Sequence, residues 1–278
     1  MRDPYVVVVP DERTYYLFGS TDPNIWSGPG RGFDCYRSTD LDDWAGPIPA
    51  FRPPPGFWSP GKFWAPEVYP VGDSWFMFAT FTGGDGHRGT QVLRAARPDG
   101  PYAPWSDGAV TPEGWQCLDG TLFTDDTGHW LVFCHEFVQC GDGEICAVKL
   151  DADLREATGE VHLLFRASDA AWTSDQHVTD GPFLWRSSSG ALEMLWSSMT
   201  EAGYALGVAR SVSGSVLGPW AQDDTPLWSD DGGHGMVFRA LDGQLFLTLH
   251  APNETPKERT VLVPVDEVGG SLRLAVTA

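Results

Sequence analysis

Five residues with chemically active side chains each stand just ahead of a short apolar run. They are Asp3 in RDPYVVVV, Glu67 in WAPEVYPV, Asp119 in CLDGTLFT, Asp180 in VTDGPFLW and His234 in GGHGMVFR. Hydrolysis of a glycosidic bond needs two carboxyl groups flanking it, one ionised to activate water or attack and one protonated to release the leaving oxygen. A third carboxylate beside the acid raises its pKa and keeps the proton in place. Asp3, Asp119 and Asp180 supply the residue types for all three roles. Taken singly, each is also an ordinary turn residue, because Asp before Gly or Pro is common in loops. What sets them apart is a shared phase in a repeat.

Successive gaps between the five are 64, 52, 61 and 54 residues. Each unit reads as strands and tight turns: short β-branched and aromatic runs are separated by turn residues such as DDTG, SSSG and LDG. A repeat of this size made almost wholly of strand indicates propeller blades. The expected fold is therefore all-β, a single five-bladed β-propeller with four-stranded antiparallel blades at about 1–50, 64–107, 115–160, 177–221 and 232–278. The first strand of each blade lines the axis in such a fold, so residues at its start converge on one point. Three blades end in a tryptophan after a polar turn (Trp44, Trp105, Trp220), and the Pro-rich segment from 46 to 64 reads as a loop over one end of the axis.

Composition narrows the partners. A formal charge of −20 with no Lys/Arg cluster argues against nucleic acid and against an anionic membrane surface, and leaves a neutral carbohydrate compatible. No stretch approaches the roughly 20 apolar residues of a membrane helix, and no leader-like segment opens the chain, so a cytoplasmic location is expected. The five cysteines include no CxxC pair, which points to reduced thiols; Cys140 and Cys146 are close enough in sequence to close a small loop. GGDGHRG at 83–89 lacks the Lys-Ser/Thr ending of a phosphate loop and reads as a hairpin loop. Composition does not fix the oligomeric state.

The motifs RDPY at 2–5, WAPE at 64–67, DGTLF at 119–123, DGPF at 180–183 and GHG at 233–235 resemble, in order and over nearly the whole chain, those of glycoside hydrolase family 43. The resemblance implies a five-bladed propeller of inverting enzymes acting mainly on arabinose- and xylose-containing glycans, with some galactosidases. By position it makes Asp3 the base, Asp119 the carboxylate that tunes the acid, Asp180 the acid, and His234 an axial histidine beside a metal or water site, with structural calcium as its candidate occupant and no cofactor required. Glu67 falls where the family commonly has aspartate. One departure is that the family's acid is usually glutamate in an EGP motif. Asp180 in DGP is one methylene shorter, a setback of about 1.5 Å of a size that can cost on the order of a hundredfold in rate. Glu136 in HEFVQ is the alternative acid, and a non-catalytic carbohydrate-binding propeller is the alternative function. A retaining fructan-processing enzyme is disfavoured, because TDPN at 21–24 follows RDP instead of preceding it.

Around these centres, Trp26, Trp58, Trp64 and Trp172 are candidate sugar platforms, since an aromatic face stacks on the C–H face of a sugar. Trp26, Trp64 and Glu67, with His177 and Arg88, form the expected substrate-binding set. Strand alternation allows only one of His135 and Glu136 to face the cavity. Long loops at 22–33, 46–63 and 83–90 would wall off a pocket, which favours exo action on terminal α-L-arabinofuranosyl, then β-xylosyl or galactosyl, units.

Overall fold

The computed structural model describes residues 1–275; the end of the expected fifth blade, residues 276–278, lies outside them. Five four-stranded antiparallel sheets, each contiguous in sequence, form the ring. Their inner strands are Arg2–Val9, Gly61–Val71, Cys117–Asp125, Asp180–Arg186 and Gly233–Arg239. The chain is a five-bladed β-propeller.

The blades adhere through apolar faces. Between blades 3 and 4, Val132, Ile145 and Phe165 pack on Met194 and a fully buried Trp196. Leu131, Phe133 and Cys146 of blade 3 meet Phe76, Phe78 and Val92 of blade 2. Two of the blade-end tryptophans fasten neighbours together. The Trp105 indole N–H donates to the Asp153 carbonyl of blade 3 at 2.6 Å, and the Trp220 ring packs on Phe165. Among the described residues no covalent link or swapped strand closes the ring. Blade 1 meets blade 5 through Arg2, which donates to Asn253 Oδ1 at 2.7 Å and pairs with Glu258 at 3.0 Å.

Two expectations change. Part of the Pro-rich segment is not loop: Ala45–Phe51 is the fourth strand of blade 1, carrying Pro47 and Pro49. This strand is the outer edge of its sheet, where a residue without an N–H costs no ladder bond. The strand-like run through HEF stops at His135, and Phe137–Cys140 makes one helical turn ended by Gly141 at φ +85°. All five cysteines are free, and the Cys140 thiol, instead of bonding Cys146, has the Asp142 carbonyl as its nearest acceptor at 3.1 Å, with those of Glu136 and His135 at 3.2 and 3.5 Å. Among the described residues no helix is long and apolar enough to cross a membrane.

Candidate active site

Each inner strand carries a bulge near its start, where the pairing register with the second strand shifts. The residues at these bulges are Asp3, Ala65, Asp119, Gly181 and His234, with φ of +52°, +46°, +54°, +51° and +48°. A bulge re-aims a side chain that strand alternation would otherwise place elsewhere. A left-handed backbone at four non-glycine residues is strain of the kind that functional sites hold. The five equivalent triplets are RDP, WAP, LDG, DGP and GHG. Asp3, Asp119 and His234 are true equivalents. Asp180 precedes its bulge by one residue and shares its phase with Arg2, Trp64 and Leu118; Glu67 follows its bulge by two. Aligning Pro4, Pro66 and Pro182 would have given this register from sequence.

The bulges ring the floor of a cavity of about 720 Å³ at one end of the axis. Arg2, Asp3, Asp119, Glu136, Asp180 and His234 line it, together with Trp26, Lys62, Trp64, Arg88 and Tyr204. Glu67 and His177, both expected to bind substrate, are not among the lining residues. Glu67 is buried, accepts a hydrogen bond from the Tyr69 hydroxyl, and is raised to about 7 by its burial. The His177 ring lies beside Asp142, its Nδ1 3.9 Å from the carboxylate. Of His135 and Glu136, the latter faces the cavity. His135 stacks on Trp115 at 4.2 Å, with its ring nitrogens 2.9 Å from Glu144 and from Gln139. Trp58 bonds Gln91, and Trp172 packs on Trp196; neither lines the cavity.

The three aspartates have different protonation chemistry. Burial alone would raise Asp3, but the charges of His234 and Arg2 and a 2.6 Å hydrogen bond from Ser20 Oγ hold it at about 2. His250 is pushed down to about 4 by burial; its Nδ1 receives the Asp3 N–H at 3.3 Å and is therefore unprotonated. Asp119 is raised to about 8 by burial and then by the charge of Asp3, against a 3.0 Å hydrogen bond from the Gly181 N–H. Asp180 is raised to about 7 by burial and then by the charge of Asp119, against a 3.0 Å hydrogen bond from the Tyr204 hydroxyl. Two buried neighbouring carboxyls cannot both ionise cheaply, so the Asp119–Asp180 pair keeps a proton near neutrality. His234 Nδ1 joins the parts, 3.3 Å from Asp3 Oδ1 and 3.5 Å from Asp119 Oδ2. Asp3 on blade 1 and Asp180 on blade 4 are not on adjacent blades, and both line the cavity.

Glycine at 181 is required twice over. Its φ is positive, and an added Cβ would lie 2.7 Å from the His234 ring. Gly181→Ala is expected to cost about 1–3 kcal/mol of stability and to displace His234 from both carboxylates. A fall in Tm together with loss of activity checks this; wild-type activity with unchanged Tm would contradict it.

The walls suit a carbohydrate. Trp26, 48% exposed, stands edge-to-face with Trp64 at 5.4 Å, and its indole N–H donates to Thr255 Oγ1 at 2.9 Å. Arg2 lies 5.3 Å from the Trp26 ring and Arg88 lies 4.5 Å from that of Trp64. Arg88 also forms an ion pair with Glu136. Calcium takes about six to eight oxygen ligands. Around His234 the two nearby carboxylates already engage Nδ1, and the protein atoms do not by themselves make such a cage. Tyr204, Ser20 and Lys62 escaped the sequence reading because none carries a motif, and Arg2 escaped it although it opens RDPY.

Comparison with known proteins agrees with this fold. The family described as "Glycosyl hydrolases family 43" matches residues 1–266. An endo-arabinase from Bacteroides thetaiotaomicron is 41% identical, with 97% of this chain and 95% of that one covered and a TM-score of 0.89. A thermostable family-43 glycoside hydrolase is 24% identical over 98% and 92% of the two chains, at a TM-score of 0.83. An α-L-arabinofuranosidase from Lactobacillus brevis shares the fold at a TM-score of 0.80, with 19% identity over 99% and 93%. No curated protein sequence matches the chain. With residues 1–266 matched in this way, the chain belongs to glycosyl hydrolases family 43 and is a glycoside hydrolase.

Proposed function

We propose that the chain hydrolyses α-L-arabinofuranosyl linkages of arabinan-type glycans with inversion. The observation that carries the chemistry is one cavity holding an ionised Asp3 and a protonated Asp119–Asp180 pair on separated blades. Asp3 takes a proton from water as it attacks the anomeric carbon. Asp180 gives its proton to the departing oxygen, and Asp119 shares that proton with it, so that the pair still holds one near neutrality. Trp26 and Trp64 offer ring faces to the sugar, and Arg2 and Arg88 offer donors to its hydroxyls. No step is routed through a metal. Arabinose is chosen because the relative that is 41% identical is an endo-arabinase.

For the position of the cut, the cavity walled by residues 25–26, 62–64 and 253–255 supports exo action on a terminal unit. The similarity to an endo-arabinase favours a second reading, cleavage inside the chain. Digestion of linear arabinan, followed by product sizing and by NMR of the first-formed anomer, tests both. Arabinose alone fits exo action, and a ladder of oligomers fits the internal cut. A product that retains the anomeric configuration, or activity on xylan or galactan but not arabinan, would overturn the proposal.

A further inference from the structure

Beside the catalytic cavity lies a second depression of about 450 Å³, built from three glycine- and proline-rich loops. Gly28, Pro29, Gly61, Lys62, Thr82 and Gly84 are among its lining residues. It adjoins the cavity at each of these loops. Ile25 and Trp26 line the cavity, and the next residues of that loop line the groove. Lys62 lines both. Arg88 of the cavity wall donates to Thr82 Oγ1 of the groove at 3.2 Å.

The groove is bare and firmly built. A Cβ added at Gly28, Gly84 or Gly86 would meet nothing within 4 Å, so these positions border open space. A Cβ at Gly61 would lie 2.5 Å from the Gly28 carbonyl oxygen, and the Gly30 N–H donates to the Pro60 carbonyl at 2.8 Å, so two of the loops are zipped together. The third is closed on itself by Gly83 N–H to His87 O at 2.8 Å and Gly86 N–H to Gly83 O at 2.9 Å. At the junction, Lys62 holds a left-handed backbone at φ +56°. Of the chain's three lysines, Lys149 donates to a carbonyl at 3.0 Å and Lys257 pairs with Glu254 at 2.7 Å. Lys62 has no hydrogen-bond or ion-pair partner among the described residues, so its three donors are available to a ligand.

We infer that this groove receives the part of a neutral glycan chain that continues beyond the catalytic cavity, with Lys62 donating to its hydroxyls at the junction. The inference rests on the arabinofuranosyl reading and extends it to a polymer held across two compartments. A surface of glycine, proline and a few polar side chains suits a sugar chain, which meets it with hydroxyls and flat C–H faces and carries no charge for the strongly acidic protein to repel. Gly84 allows a clean test, because it is exposed, borders open space and has no positive φ that a side chain would strain.

The experiment compares kcat/KM on p-nitrophenyl α-L-arabinofuranoside with kcat/KM on linear arabino-oligosaccharides of increasing length, for wild type, Gly84→Trp and, on the facing loop, Ser27→Trp. Unchanged turnover of the aryl glycoside shows that a variant is folded. Both tryptophans are expected to lower kcat/KM on the longer oligosaccharides about tenfold and to leave the aryl glycoside unaffected. If wild type and both variants show the same dependence on chain length, the groove holds no sugar and the inference is overturned. If wild type turns over neither the aryl glycoside nor any arabino-oligosaccharide, the arabinofuranosyl reading fails and takes this inference with it.

Discussion

Asp3→Asn is expected to lower kcat by about 10²–10⁴-fold on every substrate the enzyme accepts, the range of a general base. The amide keeps the shape of the carboxylate, so Ser20 and the His234 ring retain a partner, but it cannot take a proton from water. The loss should be equal for good and poor leaving groups, because water activation does not depend on what departs. Stability is the control. Asp3 is buried, and its anion exists because His234, Arg2 and Ser20 compensate it. Neutralising it removes a desolvated charge while leaving Arg2 with Glu258 and Asn253. Because the folded state holds Asp3 below its ordinary value, its anion is stabilising, so a lowered Tm in a protein that still folds, together with collapsed turnover, is the expected pair of results. Turnover near the wild-type level would remove Asp3 from the role of base.

Much of this architecture is written locally. Turn residues and alternating runs repeat often enough to yield five blades, and the RDP, DGP and GHG segments place acidic and imidazole groups where inner strands begin. What local reading misjudges is register. The bulge inserts one residue at 3, 65, 119, 181 and 234, so two-residue periodicity carried across it gives the wrong phase. Asp180 and Glu67 look equivalent to Asp3 by spacing, yet one comes just before the bulge and the other lies two residues beyond it. The shared proline of RDP, WAP and DGP is the local mark of that phase. The partners of the site have no such mark. Tyr204 reaches Asp180 from the third strand of blade 4, Ser20 reaches Asp3 across a strand pair, and Arg88 meets Glu136 between blades. The first two pairings arise from strand pairing within a blade and the third from the packing of neighbouring blades. Proline in the outer strand of blade 1 misleads in the opposite direction, because an edge tolerates what a central strand would not.

Asp180→Asn should separate substrates by leaving group. On arabino-oligosaccharides, whose departing alkoxide needs a proton, kcat is expected to fall about 10²–10⁴-fold. On the p-nitrophenyl glycoside, which leaves as a stable phenolate, most activity should remain. Glu136→Gln is the matched comparison. Glu136 is also raised by burial, but Arg88 opposes the rise and pairs with it, so a carboxylate held by a guanidinium is a poor proton donor. Its loss should alter both substrates alike by freeing Arg88. The pH profile supplies a second readout. A base must be ionised to act, and Asp3, at about 2, is ionised except in strong acid. An acid must hold its proton, so kcat/KM should be present below, and lost as pH rises through, the titration of the Asp119–Asp180 pair at about 7 to 8. In Asp180→Asn, assayed on the aryl glycoside, that alkaline limb should disappear. The short side chain is then no defect: standing one residue ahead of the bulge, in phase with Arg2 and Trp64 on the wall, Asp180 reaches the cavity from a position of its own. Leaving-group dependence in Glu136→Gln and not in Asp180→Asn would transfer the acid to Glu136 and leave Asp180 as the charge that tunes it.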